Sequence, residues 1–200
     1  MSFSFGELIK YGLRVLTRNG PGRLMSFEDQ SGIVKLDKAW AGSRDLHFCS
    51  KDQSEMVLES DFTLVRVINL STFAPIFITS AQNYPSWEEC LNAMNDMYSS
   101  NETLLALNFK QRVFKANRNI ISEDPYQILE VGLSVYRQHT VNKFYSSLEE
   151  AKKDWKDDID AMSGTSGELL LCVLLDFDKM EIMARAIFAT TQVVSKETFW

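Results

Sequence analysis

The first hydrophobic positions of the chain fall close to one stripe of a helix. A capping-box pattern begins at Ser4, and Asn19, followed by glycine and proline, supplies a stop signal. Residues 9–15 also alternate in the manner of a strand. The two end signals favour an N-terminal helix over about residues 5–18. Residues 20–60 hold short apolar runs separated by glycines, which predict short irregular strands.

From residue 61 onward, apolar runs and capping boxes follow one another in a fixed order. In residues 61–122 two predicted strands precede a capping box at Ser86, and two further strands follow its helix. In residues 123–200 the same order surrounds a capping box at Ser147. The pattern predicts two related ββαββ modules, packed with residues 1–60 as one compact unit. The alternative is that helix starts and apolar strands resemble one another for physical reasons alone.

These elements together predict an α+β fold, in which helices pack on a mostly antiparallel sheet. The chain has 200 residues, of which 45% are hydrophobic and 12% aromatic, so it can bury a core without disulfides. Its cysteines are widely spaced, and Cys90 and Cys172 lie in apolar runs as small core residues.

Charge and hydropathy narrow the range of partners. The net charge of −6 argues against a general nucleic-acid binder, which needs a basic surface to displace counterions. The start of the chain lacks the features of a signal peptide, and no apolar run reaches membrane-spanning length. We therefore expect a cytoplasmic protein, or a virion protein if the chain is viral, with no membrane partner.

Two groups of residues could support chemistry. Asp176 and Asp178 could hold a divalent cation, but their place between a buried run and an alternating run favours a hairpin turn. Cys49 could act as a nucleophile with His139 as its base, although His47 and Cys49 are better explained as structural neighbours on one strand face. Phosphate-loop motifs are absent from the sequence. We predict no catalytic, cofactor-binding or metal-binding residue and no cofactor.

The remaining signal is a set of aromatic and acidic residues outside the clear core stripes. Tryptophan is a favoured anchor of protein interfaces, and ordinary core packing is the alternative for Trp40. Apolar side chains near both ends of the sequence need cover from this subunit or from another. The candidate interface residues are Phe3, Phe5, Trp40, Asp154, Asp157, Asp158, Phe199 and Trp200.

These observations favour a non-enzymatic structural or assembly subunit that contacts other protein subunits, as a homo- or hetero-oligomer. A phage or viral virion is the concrete example of such an assembly. A small intracellular acidic binding or inhibitor protein is the first alternative, with the acidic residues of the predicted helix after Ser147 as its surface. An enzyme that depends on a metal or on a cysteine ranks last.

Overall fold

A computed structural model of the protein describes most of the chain as strands. The described residues are 12–28, 31–49, 56–69, 77–97, 102–117, 124–133, 137–138, 142–162, 169–189 and 192–200. They form two antiparallel sheets and two helices. No helix in these ranges is both long enough and apolar enough to span a membrane.

The smaller sheet has five strands in the order β4-β3-β2-β1-β5, and every neighbouring pair is antiparallel. Strand β2 is central, and β1 lies between β2 and the edge strand β5. The bounds of the five strands are β1 Arg14–Thr17, β2 Gly20–Glu28, β3 Ser31–Trp40, β4 Ser43–Cys49 and β5 Met56–Leu58.

The larger sheet has ten strands in the order β11-β7-β6-β8-β9-β14-β13-β10-β12, with β15 also beside β14. Its first half contains β6 Phe62–Asn69, β7 Phe77–Tyr84, helix α1 Trp87–Asp96, β8 Glu102–Asn108 and β9 Val113–Ala116. Its second half contains β10 Tyr126–Gly132, β12 Asn142–Tyr145, helix α2 Leu148–Met162, β13 Leu169–Asp176, β14 Glu181–Ala189 and β15 Gln192–Thr198. Strand β11 Arg137–Gln138 follows β10 in the chain but pairs with β7 at the edge of the first half.

The two halves of the larger sheet pair their strands in the same order. The first half runs β7-β6-β8-β9 and the second runs β12-β10-β13-β14, and β9 meets β14 where the halves join. In each half the helix connects an outer strand to the strand after next in the sheet. A common origin of the halves, and the module boundaries drawn from the sequence, stay predictions.

The main core lies between the inner faces of the two halves. Leu105 and Leu107 of β8 belong to the same buried cluster as Leu129 of β10 and Leu171 of β13. Leu16 of β1 joins this cluster from the smaller sheet. Each helix covers a separate cluster on the outer face of its half, while the smaller sheet has a cluster of its own. The larger sheet is therefore buried on both faces near its centre.

The predicted α+β class is wrong, because the chain is a β-rich fold dominated by antiparallel sheets. The predicted N-terminal helix is also wrong over residues 14–17, which form β1, whereas residues 5–11 lie outside the described residues. Val15 packs in the cluster of the smaller sheet and Leu16 in the main core, so both faces of β1 are apolar. A strand that is buried on both faces has consecutive apolar residues, which can resemble a helical stripe.

Candidate functional site

Helix α2 has three different sides, which face three different surroundings. Ala151, Trp155 and Ile159 form its buried side and pack on the outer face of the second half-sheet. Asp154 and Asp158 lie toward β12, where they contact Tyr145 and Lys143. The lysines of the helix lie on the opposite flank, toward β15. The lysines of α2 therefore lie on the β15 side of the helix, with Glu149 beside them, whereas Asp154 and Asp158 lie on the β12 side.

The lysine flank of α2 and strand β15 enclose an open groove, here called the α2–β15 groove. Its cavity has a volume of about 350 Å³. Four of its lining residues are lysines, and Glu149 is its one acidic lining residue among the described part of the chain. The lysines are Lys152, Lys153 and Lys156 from the helix and Lys196 from β15.

Two tryptophans form the aromatic part of the groove. Trp155 is only 1% exposed, whereas Trp200 is 48% exposed. Their ring centroids are 5.7 Å apart and the rings are nearly perpendicular, at 88°. Lys152 Nζ lies 5.5 Å from the centroid of the Trp200 ring, and Lys196 Nζ lies 5.5 Å from that of Trp155. Ammonium groups at this distance are attracted by the electron-rich ring faces, so the tryptophans help to hold the lysines in place.

The groove is strongly basic although the protein as a whole is acidic. Lys152 Nζ bonds Glu149 Oε1 at 2.8 Å, so one lysine charge is compensated. Lys153, Lys156 and Lys196 form no ion pair with any residue of the described ranges. Like charges gathered in one groove repel one another, and an anion placed between them relieves that repulsion.

The acidic flank of α2 is occupied mainly by contacts within the protein. The Tyr145 hydroxyl donates to Asp154 Oδ2 at 2.9 Å, and Lys143 Nζ lies 3.1 Å from Asp158 Oδ1. Burial, together with the bond to Asp154, raises the pKa of Tyr145. Asp157 is exposed. Of the three predicted acidic interface residues, Asp157 is exposed, whereas Asp154 and Asp158 are half-buried.

The hairpin that joins β3 to β4 presents Trp40 to solvent. All residues from 37 to 45 are exposed, and the Trp40 side chain is 51% exposed. Ala41 and Gly42 form the turn in the left-handed region, with φ of 48° and 84°. At the base of this tip, Asp37 accepts two bonds of 2.7 Å from Arg14. This ion pair lowers the pKa of Asp37 and connects the base of the tip to β1.

Phe199 and Trp200, although adjacent, contact different parts of the protein. Phe199 packs against the main core, its N–H donates to Met183 O at 2.9 Å, and Arg112 lies 4.4 Å from its ring centroid. Trp200 lies in the α2–β15 groove. Phe199 is therefore covered by its own subunit, whereas about half of Trp200 is exposed, and cover of Trp200 by another subunit stays a prediction. Phe3 and Phe5 lie outside the described residues.

Asp176 and Asp178 occupy the β13–β14 turn, as the turn interpretation predicted. Asp176 is 1% exposed, and its Oδ1 accepts from the N–H groups of Asp178 and Lys179 at 3.0 and 3.1 Å. Asp178 is exposed. In the described part of the chain, no three acidic, histidine or cysteine residues are grouped as metal ligands.

Among the described residues, the structure does not bring a cysteine side chain together with a histidine. Cys90 and Cys172 are buried in the outer clusters, which confirms their prediction as core residues. Burial raises the pKa of both thiols, that of Cys90 to about 12. His47 is exposed, whereas His139 and the side chain of Cys49 lie outside the described residues.

The sequence interpretation missed the lysines of the groove. The interface candidates from the sequence include only acids of α2, although the spacing of residues 152 and 156 already puts two lysines on one flank. Lys196 could not be assigned to that flank, because its position depends on how β15 pairs with β14. Comparison with known proteins adds no function to this geometry, since the chain matches no protein-family model, no curated protein and no solved structure.

Proposed function

We propose that this chain is a non-enzymatic subunit that binds other protein subunits in a larger assembly. The observation that supports this proposal is the half-exposed Trp40 at the tip of the β3–β4 hairpin. A location in the cytoplasm, or in a virion if the chain is viral, belongs to the same proposal. The virion assignment stays a prediction from the sequence.

The hairpin tip has the features of an interface anchor. A buried tryptophan covers about 150–250 Å² of surface, so covering the exposed half of Trp40 would contribute about 2 kcal/mol. Tryptophan is enriched among the residues that dominate binding energy in protein interfaces. The defined turn and the Arg14–Asp37 ion pair limit the conformations of the tip, so less entropy is lost when a partner covers it.

The Trp40→Ala substitution tests the proposal. The protein should be purified alone and with the proteins encoded beside its gene, and complexes measured by size-exclusion chromatography with light scattering. We expect a complex of defined stoichiometry, with itself or with a neighbour. Trp40→Ala should raise its dissociation constant about 30-fold, because about 2 kcal/mol of contact is lost.

Met25→Ala is the matched control for this experiment. Met25 lies on β2 of the same sheet and is 46% exposed. Its substitution therefore removes a comparably exposed apolar side chain outside the hairpin tip. We expect this variant to bind as the wild type does. A chain that stays monomeric with every neighbour, or an equal loss of binding in both variants, would contradict the proposal.

A further inference from the structure

We propose that the α2–β15 groove binds an acidic extended segment of the protein partner. In this arrangement a carboxylate lies among the lysines and an apolar side chain covers Trp200. The inference rests on the proposed function, since it names a second contact made by the same kind of partner. It is supported by three independent features of the groove: its charge, its aromatic surface and the strand that forms one wall.

The charge of the groove selects an anionic ligand. Four lysines line a cavity of about 350 Å³, with Glu149 as the only acidic residue among its lining. The whole protein has a net charge of −6, so this basic surface is local. Exposed Asp157 and Asp178 lie outside the lining residues. A carboxylate can approach the lysines, while a long polyanion that continues past the groove meets an acidic protein.

The aromatic surface selects a ligand that also has an apolar part. About half of Trp200 is exposed, and its ring stands nearly perpendicular to that of Trp155. Lys152 and Lys196 cover parts of the two rings but leave this open area. Carboxylates and apolar side chains alternate readily in a polypeptide. A free inorganic anion would leave the exposed Trp200 surface in water.

The wall formed by β15 favours a polypeptide over a small carboxylate. Strand β15 pairs with β14 on one edge, and no other described strand pairs with it. An extended segment can therefore place its backbone along the open edge of β15. A side chain directly opposite Lys196 would then have its Cβ about 5 Å from the lysine Cβ, which suits an ion pair.

Nuclear magnetic resonance of the indole N–H groups tests the inference. The probe is the capped peptide Glu-Ser-Leu-Ser-Glu, in which alternate residues are acidic or apolar and share one face. Titration into the full ¹⁵N-labelled chain should shift the Trp200 indole signal saturably and leave the Trp40 signal unchanged. The neutral peptide Gln-Ser-Leu-Ser-Gln should bind at least tenfold more weakly.

A charge-reversal pair separates the groove from general electrostatics. Lys196→Glu should weaken binding of the acidic peptide at least tenfold. Lys35→Glu changes the net charge equally, but Lys35 is an exposed residue of β3 in the smaller sheet, so this variant should bind within twofold of the wild type. Similar losses in both variants, or no saturable shift of Trp200 with the acidic peptide, would overturn the inference.

Two further probes identify the source of the anion. Free glutamate that shifts Trp200 at the same concentration as the peptide would assign the groove to small carboxylates and overturn the proposal. A ten-residue oligothymidylate that binds more tightly than the peptide would assign it to nucleic acid, with the same consequence.

The two proposals can fail separately. If the groove does not bind the peptide while Trp40→Ala still weakens subunit binding, only this inference is overturned. If the groove binds the peptide but Trp40→Ala has no effect on subunit binding, the proposed role of the hairpin fails instead.

Discussion

Asp176 contributes to stability through its position in a turn. Its carboxylate is buried and accepts two backbone N–H groups, those of Asp178 and Lys179. We expect Asp176→Ala to lower the free energy of unfolding by about 2 kcal/mol, because both N–H groups lose their acceptor. Urea denaturation measures this change.

Asp178→Ala is the control for the turn, because Asp178 is exposed in the same hairpin. Its free energy of unfolding should stay within about 0.5 kcal/mol of the wild type. Equal stability of the wild type and the Asp176→Ala variant would show that these two backbone bonds contribute little.

Cys90 makes the stability of the protein depend on pH in the alkaline range. Burial raises the pKa of its thiol from 9.0 to about 12 in the folded protein. Above pH 9 the unfolded chain releases this proton while the folded chain keeps it, so stability falls as pH rises toward 12. Tyr84 acts in the same direction, since burial raises its pKa from 10.0 to about 12.

The Cys90→Ala variant separates this thiol from the other groups that titrate at high pH. Urea unfolding at pH 8, 9, 10 and 11 should show a shallower decline in stability for the variant than for the wild type. Parallel declines would mean that the Cys90 thiol ionises equally well in the folded and unfolded states.

At the scale of elements, the turn of the β3–β4 hairpin is built from one unfavourable and one favourable residue. Ala41 has φ of 48°, which is costly for a residue with a Cβ, whereas Gly42 tolerates its φ of 84°. Ala41→Asn should raise the free energy of unfolding by about 0.5–1 kcal/mol, since Asn followed by Gly is preferred in such turns.

Ala39→Asn provides the comparison for this substitution, because Ala39 lies on the same hairpin but in extended backbone. Urea denaturation should show no gain for Ala39→Asn, in which an asparagine replaces a strand residue. A gain of equal size in both variants would indicate an effect of asparagine on the exposed surface rather than on the turn.

Helix starts were predictable from the sequence where the local signal and the tertiary packing agree. Ser86 Oγ accepts from Glu89 N at 3.2 Å, as its capping box predicts, and Ser147 likewise precedes α2. The stop signal at Asn19 was misleading, because Asn19 lies in a two-residue hairpin turn, with Thr17 opposite Gly20, instead of ending a helix. Turn residues end helices and strands alike, so only the hydrophobic pattern before Asn19 could distinguish a helix from a strand. That pattern was ambiguous, because β1 is apolar on both faces.

The candidate site was less predictable than the strands, because it depends on contacts between distant parts of the chain. Residue type suffices to make Trp40 an interface candidate, and Trp200 is one through its residue type and its place near the end of the sequence. Lys196 reaches the flank of α2 only through the pairing of Lys196 with Ala186 of β14. The lysines and Asp154 and Asp158 of α2 can be assigned to different surroundings only when β12 and β15 are known to lie on opposite sides of the helix.

At the scale of the whole molecule, burial is concentrated in the larger sheet. All eight residues of β13 are buried between β10 and β14, whereas residues 37–45 of the smaller sheet are all exposed. Hydrogen exchange should therefore be slowest in β13 and approach the rate set by global unfolding. The amides of residues 37–45 should exchange fastest among the described strands. Uniform exchange across both sheets would contradict this ranking.

The unequal flanks of α2 bear on how the protein behaves at charged surfaces. An isoelectric point near 5.0 suggests that a negatively charged biosensor chip should repel it. The lysines around Trp200 offer such a chip a local cationic surface, so molecules adsorbed through them would have the α2–β15 groove covered by the chip. Binding measured on such a chip would then report on contacts outside the groove, such as that of Trp40, and not on the groove itself.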